Sequence, residues 1–108
     1  MTLIHKKCVP CEGGVKPLSK ELATQLLKQL HGWTMSDDIK KITKTFSFKN
    51  YYKTMAFVNA VAWIAHSEDH HPDLSVHYNQ CIVTYATHAI DGLSENDFIC
   101  AAKADALM

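Results

Sequence analysis

Pro72 constrains the fold of this chain more than any other residue, because it separates a helical pattern from an alternating one. The residue before a proline is disfavoured in helical geometry, so a helix capped by Asn50 must end before His71. Beyond the proline, apolar residues alternate with polar ones, which predicts a strand carrying Leu74, Val76 and Tyr78. The chain therefore changes from helix to sheet close to residue 72.

Helical patterns occur at three places. The first helix is predicted over residues 19–30, capped by Ser19, with one apolar stripe of Leu22, Leu26, Leu27 and Leu30. The second, after Asn50, is predicted to be broadly buried, with a stripe of Met55, Val58, Ala62 and Ala65 flanked by Phe57, Val61 and Ile64. The third begins at Ser94, where Asp97 three residues later completes a variant of the capping box.

Two hairpins are predicted between the helices. Residues 33–35 pair with a strand from Ile39 onward, whose buried face carries Ile42, Phe46 and Phe48. The strand after Pro72 turns at Asn79-Gln80 into a partner over residues 81–87. The order α-β-β-α-β-β-α predicts an α+β two-layer sandwich, a four-stranded antiparallel sheet covered on one face by helices. Its two open edges favour homo-oligomerisation.

The length of 108 residues fits one domain, which we place at residues 19–108 after an N-terminal arm of residues 1–18. Eleven lysines balance eleven acidic residues and there is no arginine, which argues against phosphate contacts and so against nucleic-acid binding. No apolar run reaches the length of a membrane span, so we expect a cytoplasmic chain with reduced thiols. Cys8-x-x-Cys11 is half of a zinc ribbon without a second pair, and we read it as structural or adventitious.

Histidine is the most informative residue type, because five of the seven histidines fall between His66 and His88. The strand that starts after Pro72 and the strand that ends near His88 are partners in one hairpin, so His70, His71 and His88 are expected on one rim of the sheet. Imidazoles placed around a ligand can donate one proton and accept another near neutral pH. An open three-histidine zinc site is the alternative, although Ser67 stands where the H-E-x-x-H motif needs glutamate.

Several segments together are similar to one known family, the pterin-4a-carbinolamine dehydratases. The similarity covers the chain from about Leu18 to its C-terminus. It rests on Gly32-Trp33, on the run His70-His71-Pro72-Asp73, on Val76 to Gln80, on Thr87-His88 and on Gly92 to Asp97. This resemblance implies a hydro-lyase that converts 4a-hydroxytetrahydrobiopterin to the quinonoid dihydropterin in tetrahydrobiopterin recycling. It further implies a homodimer or homotetramer that needs no metal or organic cofactor.

The resemblance also implies a set of site residues. His70, His71, His88 and Asp97 correspond to catalytic positions: His71 and His88 as the acid/base pair, His70 orienting the pterin, and Asp97 fixing a histidine tautomer or contacting substrate. The expected substrate-binding residues are Trp33, His66, Pro72, Thr87 and Asn96. His66 stands where the family often has glutamate, and Asn96 where many relatives have arginine, which affects substrate affinity or its pH dependence.

Three function classes stay open from the sequence. The first is the dehydratase, with a pterin substrate and an aromatic amino acid hydroxylase system as its source. The second is a binding role, since some relatives are dimerisation cofactors of a homeodomain transcription factor. The third is a zinc-dependent hydrolase or metal-binding module. The first class predicts that replacing His71 and His88 abolishes the function, and the second predicts that the same replacement leaves it intact. The third predicts stoichiometric bound metal.

Overall fold

The computed structural model describes residues 2–10 and 15–108. Its helices are α1 (Lys20–Leu27), α2 (Tyr51–Glu68) and α3 (Glu95–Asp105), and its strands are β1 (Thr34–Met35), β2 (Ile42–Ser47), β3 (Asp73–Val76) and β4 (Gln80–Tyr85). Single 3₁₀ turns occur at Leu3–His5 and His88–Ile90. The element order confirms the predicted alternation of helices and hairpins.

The four strands form one antiparallel sheet in the order β1-β2-β4-β3. The central pair, β2 and β4, is in register from Ile42 opposite Tyr85 to Ser47 opposite Gln80, and β3 pairs with the other side of β4. This arrangement confirms the predicted α+β fold. It places β1 and β3 at the sheet edges and brings the start of β3 beside the end of β4.

One face of the sheet carries the core. Cys81, Val83 and Tyr85 alternate along β4 as fully buried residues, and Ile42 and Phe46 occupy the same face of β2. The helices cover this face, and α3 is buried at nearly every position from Asn96 to Ala101. Burial of this apolar surface is the main favourable contribution to folding.

The predicted buried stripe of α2 is confirmed at Ala65 but is wrong at Ala62, which is exposed. The other buried positions are Thr54, Phe57 and Val61. Thr54 was not on the predicted stripe, and its hydroxyl donates to the carbonyls of Asn50 and Tyr78 within the core. The helix is also not broadly buried, since Trp63 is 69% exposed.

Three smaller predictions are corrected. In α1 the buried residue is Ala23, not Leu22, and the helix ends at Leu27 before a turn that reaches Leu30. Strand β3 ends at Val76 because the His77 N–H already closes the hairpin turn to the Gln80 carbonyl. The last paired residue of β4 is Tyr85 rather than residue 87.

The described part of the N-terminal segment lies against α3, although the sequence has no periodicity there. Leu3 is buried in the same core cluster as α3, and the Lys103 ammonium donates to the Ile4 carbonyl. Further along, the Leu18 N–H donates to the Leu93 carbonyl. Among residues 2–10 and 15–108, no helix is long and apolar enough to cross a membrane.

Candidate functional site

The end of α2 sets the position of His70. Asp69 caps the helix in the left-handed conformation, with φ 52° and ψ 44°, and the His70 N–H still donates to the Ala65 carbonyl at 3.1 Å. The left-handed residue turns the chain so that the His70 ring lies against Tyr85, with 11° between the ring planes. His66 is one turn earlier, exposed and beside Trp63, so His66 and His70 do not share a helical face.

Asp97 is the buried anchor of the site. One carboxylate oxygen lies 2.6 Å from His70 Nε2, and the other accepts from the Thr87 hydroxyl at 2.7 Å and from the Ser94 N–H at 3.0 Å. The Asp97 side chain has no exposed surface, and the Ser94 contact is part of the capping box of α3. Because a carboxylate only accepts hydrogen bonds, His70 Nε2 must carry the proton in this pair. In neutral His70 the lone pair is therefore on Nδ1.

His71 and His88 lie on the rim of the same region and are both exposed. His71 follows directly after His70, where Pro72 carries the chain into β3. His88 begins a 3₁₀ turn after β4, and the bridge between Thr87 and Gly92 closes the loop that contains it. The two exposed imidazoles thus come from different segments of the chain.

These histidines surround a cleft of about 560 Å³. Its walls are residues 67–71 at the end of α2, residues 86–89 after β4, residues 7–10 of the N-terminal segment, and Asn96. The volume lies within the range of small-molecule sites. Tyr85, against which the His70 ring lies, is fully buried, and burial raises the pKa of its phenol. The Tyr85 hydroxyl has no hydrogen-bond partner within the described residues.

The N-terminal wall of the cleft is held by specific hydrogen bonds. The Asn96 side chain accepts from the Val9 N–H at 3.0 Å and donates to the Val9 carbonyl at 2.6 Å. The Cys8 N–H donates to Glu68 Oε1 at 2.9 Å, and Lys6 pairs with Glu95 at 3.0 Å. Asn96, expected to bind substrate, thus also fixes the wall beside it.

The structure brings some of the expected site residues together and places others elsewhere. His70, His71, Thr87, His88 and Asn96 line the cleft, and Asp97 lies directly behind it. Trp33, His66 and Pro72 are not among the lining residues. Trp33 is in the core, where its indole N–H donates to both oxygens of Asp105.

Sequence reasoning missed the contributions of Cys8 and Glu68 to the cleft. Both act through contacts over long sequence separation, 60 residues in the case of their mutual hydrogen bond, and no local pattern marks such a pair. Ser94 was identified only as a cap, but its hydroxyl also lies 2.8 Å from that of Thr87. The sequence signal for this contact was that Ser94 belongs to the same capping box as Asp97, which also contacts Thr87.

The metal alternative finds no geometric support in the part of the chain that is described. Within residues 2–10 and 15–108, no group of three His, Cys, Asp or Glu side chains could hold a metal ion. The three histidines of the cleft therefore do not form a ligand set. Cys11, the second cysteine of the Cys8-x-x-Cys11 motif, lies outside the described residues.

These features define an α+β protein with a histidine-lined cleft where the helix layer meets the end of the sheet. The model of the family "Pterin 4 alpha carbinolamine dehydratase" matches residues 16–107. The chain belongs to this family.

Curated relatives match over nearly the whole chain. A protein of Nitrosomonas eutropha named "Putative pterin-4-alpha-carbinolamine dehydratase" is 68% identical over 107 residues, covering 98% of this chain and 93% of the relative. A protein of the same name from Stenotrophomonas maltophilia is 55% identical, covering 97% and 90%. The family and these names support a pterin carbinolamine dehydratase activity.

Two solved structures share the fold. A transcriptional coactivator/pterin dehydratase from Brucella melitensis is 34% identical with a TM-score of 0.81, covering 85% of this chain and 98% of that one. A pterin dehydratase-like protein identified as a RuBisCO assembly factor in the alpha-carboxysome is 26% identical with a TM-score of 0.62, covering 71% and 89%. These descriptions attach both enzymatic and binding roles to related proteins.

Proposed function

We propose that this protein removes water from 4a-hydroxytetrahydrobiopterin by histidine acid/base catalysis, giving the quinonoid dihydropterin. The observation that carries the proposal is the cleft itself: His70, His71 and His88 surround it, and a buried carboxylate holds one of the three rings at 2.6 Å. A fixed imidazole beside two exposed ones suits a reaction that moves one proton to the substrate and one away from it.

The chemistry requires two proton transfers and no redox change. The C4a–O bond breaks as the hydroxyl takes a proton and leaves as water, while the N5 lone pair forms the C4a=N5 double bond and N5 loses its proton. We assign these transfers to His71 and His88, which line the cleft from two different segments of the chain. Each properly placed acid or base contributes about 10²–10⁴-fold in rate.

His70 and Asp97 have a positioning role in this scheme. Because Asp97 accepts from Nε2, the neutral His70 ring keeps Nδ1 as a hydrogen-bond acceptor for a donor on the pterin or its hydroxyl. Stacking on Tyr85 at 6.1 Å restricts ring rotation, so this acceptor has a fixed direction. Thr87 and Asn96 line the cleft and complete the proposed binding surface, with Trp33, His66 and Pro72 as further candidates.

The biological setting follows from the substrate. A 4a-hydroxytetrahydropterin is formed by aromatic amino acid hydroxylation, so we place the protein in tetrahydrobiopterin recycling in the cytoplasm, with a hydroxylase system as its source. We also propose a homodimer or homotetramer, because β3 leaves a sheet edge where Val76 is 39% exposed. Sedimentation velocity at micromolar concentration tests this, and a monomer would contradict it.

The deciding experiment follows the ultraviolet decay of freshly generated 4a-carbinolamine in a stopped-flow instrument. We expect clear acceleration by the wild type and its loss in a folded His71→Ala/His88→Ala variant. His77→Ala is the matched control, because His77 is exposed, pairs with Ser75 at 3.0 Å and lies outside the cleft. Absence of acceleration by folded wild type would overturn the proposal, and sensitivity to chelators would favour the metal alternative.

The same variants distinguish a protein-binding role from the dehydratase activity. If the fold acts as a protein-binding module, the double histidine variant keeps its partner, since the remaining surface is unaltered. Loss of the dehydratase rate together with retained partner capture would show two functions on one fold. A wild type that captures a partner and never accelerates the dehydration would leave only the binding role.

A further inference from the structure

The N-terminal wall of the cleft contains a thiol in contact with a second thiol. Cys8 Sγ lies 3.5 Å from Cys100 Sγ and 3.7 Å from the Asn96 carbonyl oxygen. Cys100 is fully buried in α3, whereas Cys8 is only partly buried and lines the cleft. The two cysteines are 92 positions apart in the chain, so the contact is a product of the tertiary fold.

The backbone around Cys8 is held in place independently of the sulfur contact. Its N–H donates to Glu68, and the next residue, Val9, forms two hydrogen bonds with the Asn96 side chain. The Cys8 thiol is therefore presented to Cys100 by three hydrogen bonds to two residues, Glu68 of α2 and Asn96 of α3. To reach the bonded separation of about 2.05 Å, the sulfurs must close by roughly 1.5 Å.

We propose that Cys8 and Cys100 form a reversible redox pair, in which oxidation by a low-molecular-weight disulfide covalently joins the N-terminal wall of the cleft to α3. Cys8 is the attacking residue because it is reached from the cleft. Cys100 is the resolving residue because it is buried, and its hydrogen bond to Cys8, followed by burial, raises its pKa. The proposal concerns the thiols alone and holds whether or not the dehydratase activity is found.

The reaction balances as two successive exchanges. The Cys8 thiolate attacks one sulfur of the small disulfide, which forms a mixed disulfide and releases one small thiol. The Cys100 sulfur then attacks the Cys8 sulfur, forms the Cys8–Cys100 bond and releases the second thiol. The protein loses two electrons and two protons, and the small disulfide gains them. Thiol reductants reverse both steps.

The cross-link has a defined consequence for the cleft. The reduced segment is held by noncovalent contacts, including its hydrogen bonds, the Lys6–Glu95 pair and the packing of Leu3, all of which can open locally and close again. In the oxidised protein the wall cannot leave α3 without wider unfolding. We expect amide hydrogen exchange at Cys8 and Val9 to slow at least tenfold on oxidation, and the thermal midpoint to rise by roughly 10 °C or more.

The experiment incubates full-length reduced protein with glutathione disulfide, blocks remaining thiols and maps peptides without reduction. The expected product is a monomer 2 Da lighter with a Cys8–Cys100 linked peptide, which dithiothreitol returns to the starting mass. Cys100→Ala should accumulate a stable glutathione adduct on Cys8. Cys81→Ala is the matched control, because Cys81 is also fully buried but belongs to β4, and it should form the cross-link normally.

Three results would overturn the proposal. The first is a Cys8–Cys11 linkage, which would make the C-x-x-C motif the redox unit. The second is a glutathione adduct on wild-type Cys8 that Cys100 fails to resolve. The third is four unreacted thiols after prolonged exposure of the folded protein. Hydrogen exchange that is unchanged in a correctly cross-linked protein would reject the consequence for the cleft wall.

Discussion

Replacing Asp97 with asparagine tests the central geometry of the site with almost no change in shape. Asp97 accepts three hydrogen bonds, from His70, Thr87 and the Ser94 N–H. The asparagine oxygen can still accept from the Thr87 hydroxyl and the Ser94 N–H, because both donate to the same oxygen of Asp97. Its NH₂ group then faces His70, so Nε2 must become an acceptor and the ring proton must move to Nδ1.

The magnitude follows from those three bonds. A hydrogen bond to a charged group contributes about 1 kcal/mol more than a neutral one, so we expect Asp97→Asn to lower the free energy of unfolding by about 3 kcal/mol. Because Nδ1 changes from acceptor to donor, kcat/KM should fall by at least about 100-fold. Urea denaturation measures the first effect, the stopped-flow decay the second, and ¹⁵N NMR of the imidazole the tautomer.

Ser94→Ala is the matched control for this variant. It removes an N-cap hydroxyl at a cost of about 1 kcal/mol, while the backbone N–H to Asp97 and the His70–Asp97 pair remain. Its rate should stay within about threefold of wild type, far less than the loss of about 10²–10⁴-fold expected when one acid or base is removed. An Asp97→Asn protein with a wild-type rate, or with the His70 proton still on Nε2, would refute the reasoning.

Three further predictions concern stability, each measured by urea denaturation. Asp69→Gly should raise the free energy of unfolding by up to about 1 kcal/mol, because glycine adopts the left-handed conformation of this helix cap freely. Asp69→Val should lower it by about 1–2 kcal/mol, because a β-branched residue is strained there. Equal effects of the two variants would contradict the left-handed cap. Gly92→Ala should lower the free energy of unfolding by about 1–3 kcal/mol, because the new alanine Cβ would lie 2.6 Å from the Pro17 Cβ. If that contact is the cause, adding Pro17→Gly to Gly92→Ala should restore part of the lost stability. Burial raises the pKa of Cys81, and the hydrogen bond between the Cys100 and Cys8 thiols, then burial, raises that of Cys100. Both thiols ionise first in the unfolded chain, so stability should be constant below about pH 8.5 and then fall by up to about 1.4 kcal/mol per pH unit for each thiol; a flat profile to pH 10 would reject this.

The sequence was sufficient for the fold because local signals agreed with one another. Pro72 ended α2 and started β3 as expected, and Ser94 with Asp97 opened α3. The expected meeting of His70, His71 and His88 needed only the geometry of an antiparallel hairpin, and the structure places all three on one cleft. The role of each in catalysis stays a prediction.

The remainder depended on contacts that no periodicity encodes. Thr54 is buried because its hydroxyl donates to the Asn50 carbonyl one turn earlier and to the Tyr78 carbonyl 24 residues later, whereas a hydropathy pattern treats threonine as a surface residue. Trp33 was assigned to the pterin pocket from the resemblance, whereas its indole is engaged with Asp105. The N-terminal wall of the cleft is held by hydrogen bonds between residues that are 60 or more positions apart, so no spacing pattern in the sequence predicts it.

The docking of residues 7–10 on α3 has a consequence for biosynthesis. This segment is synthesised before Asn96 and Cys100, to which it binds. A nascent chain can therefore form the sheet and α2 before its cleft has a fourth wall. A chain truncated before α3 loses Asp97 and the docking surface together, so the site first exists once α3 has been synthesised.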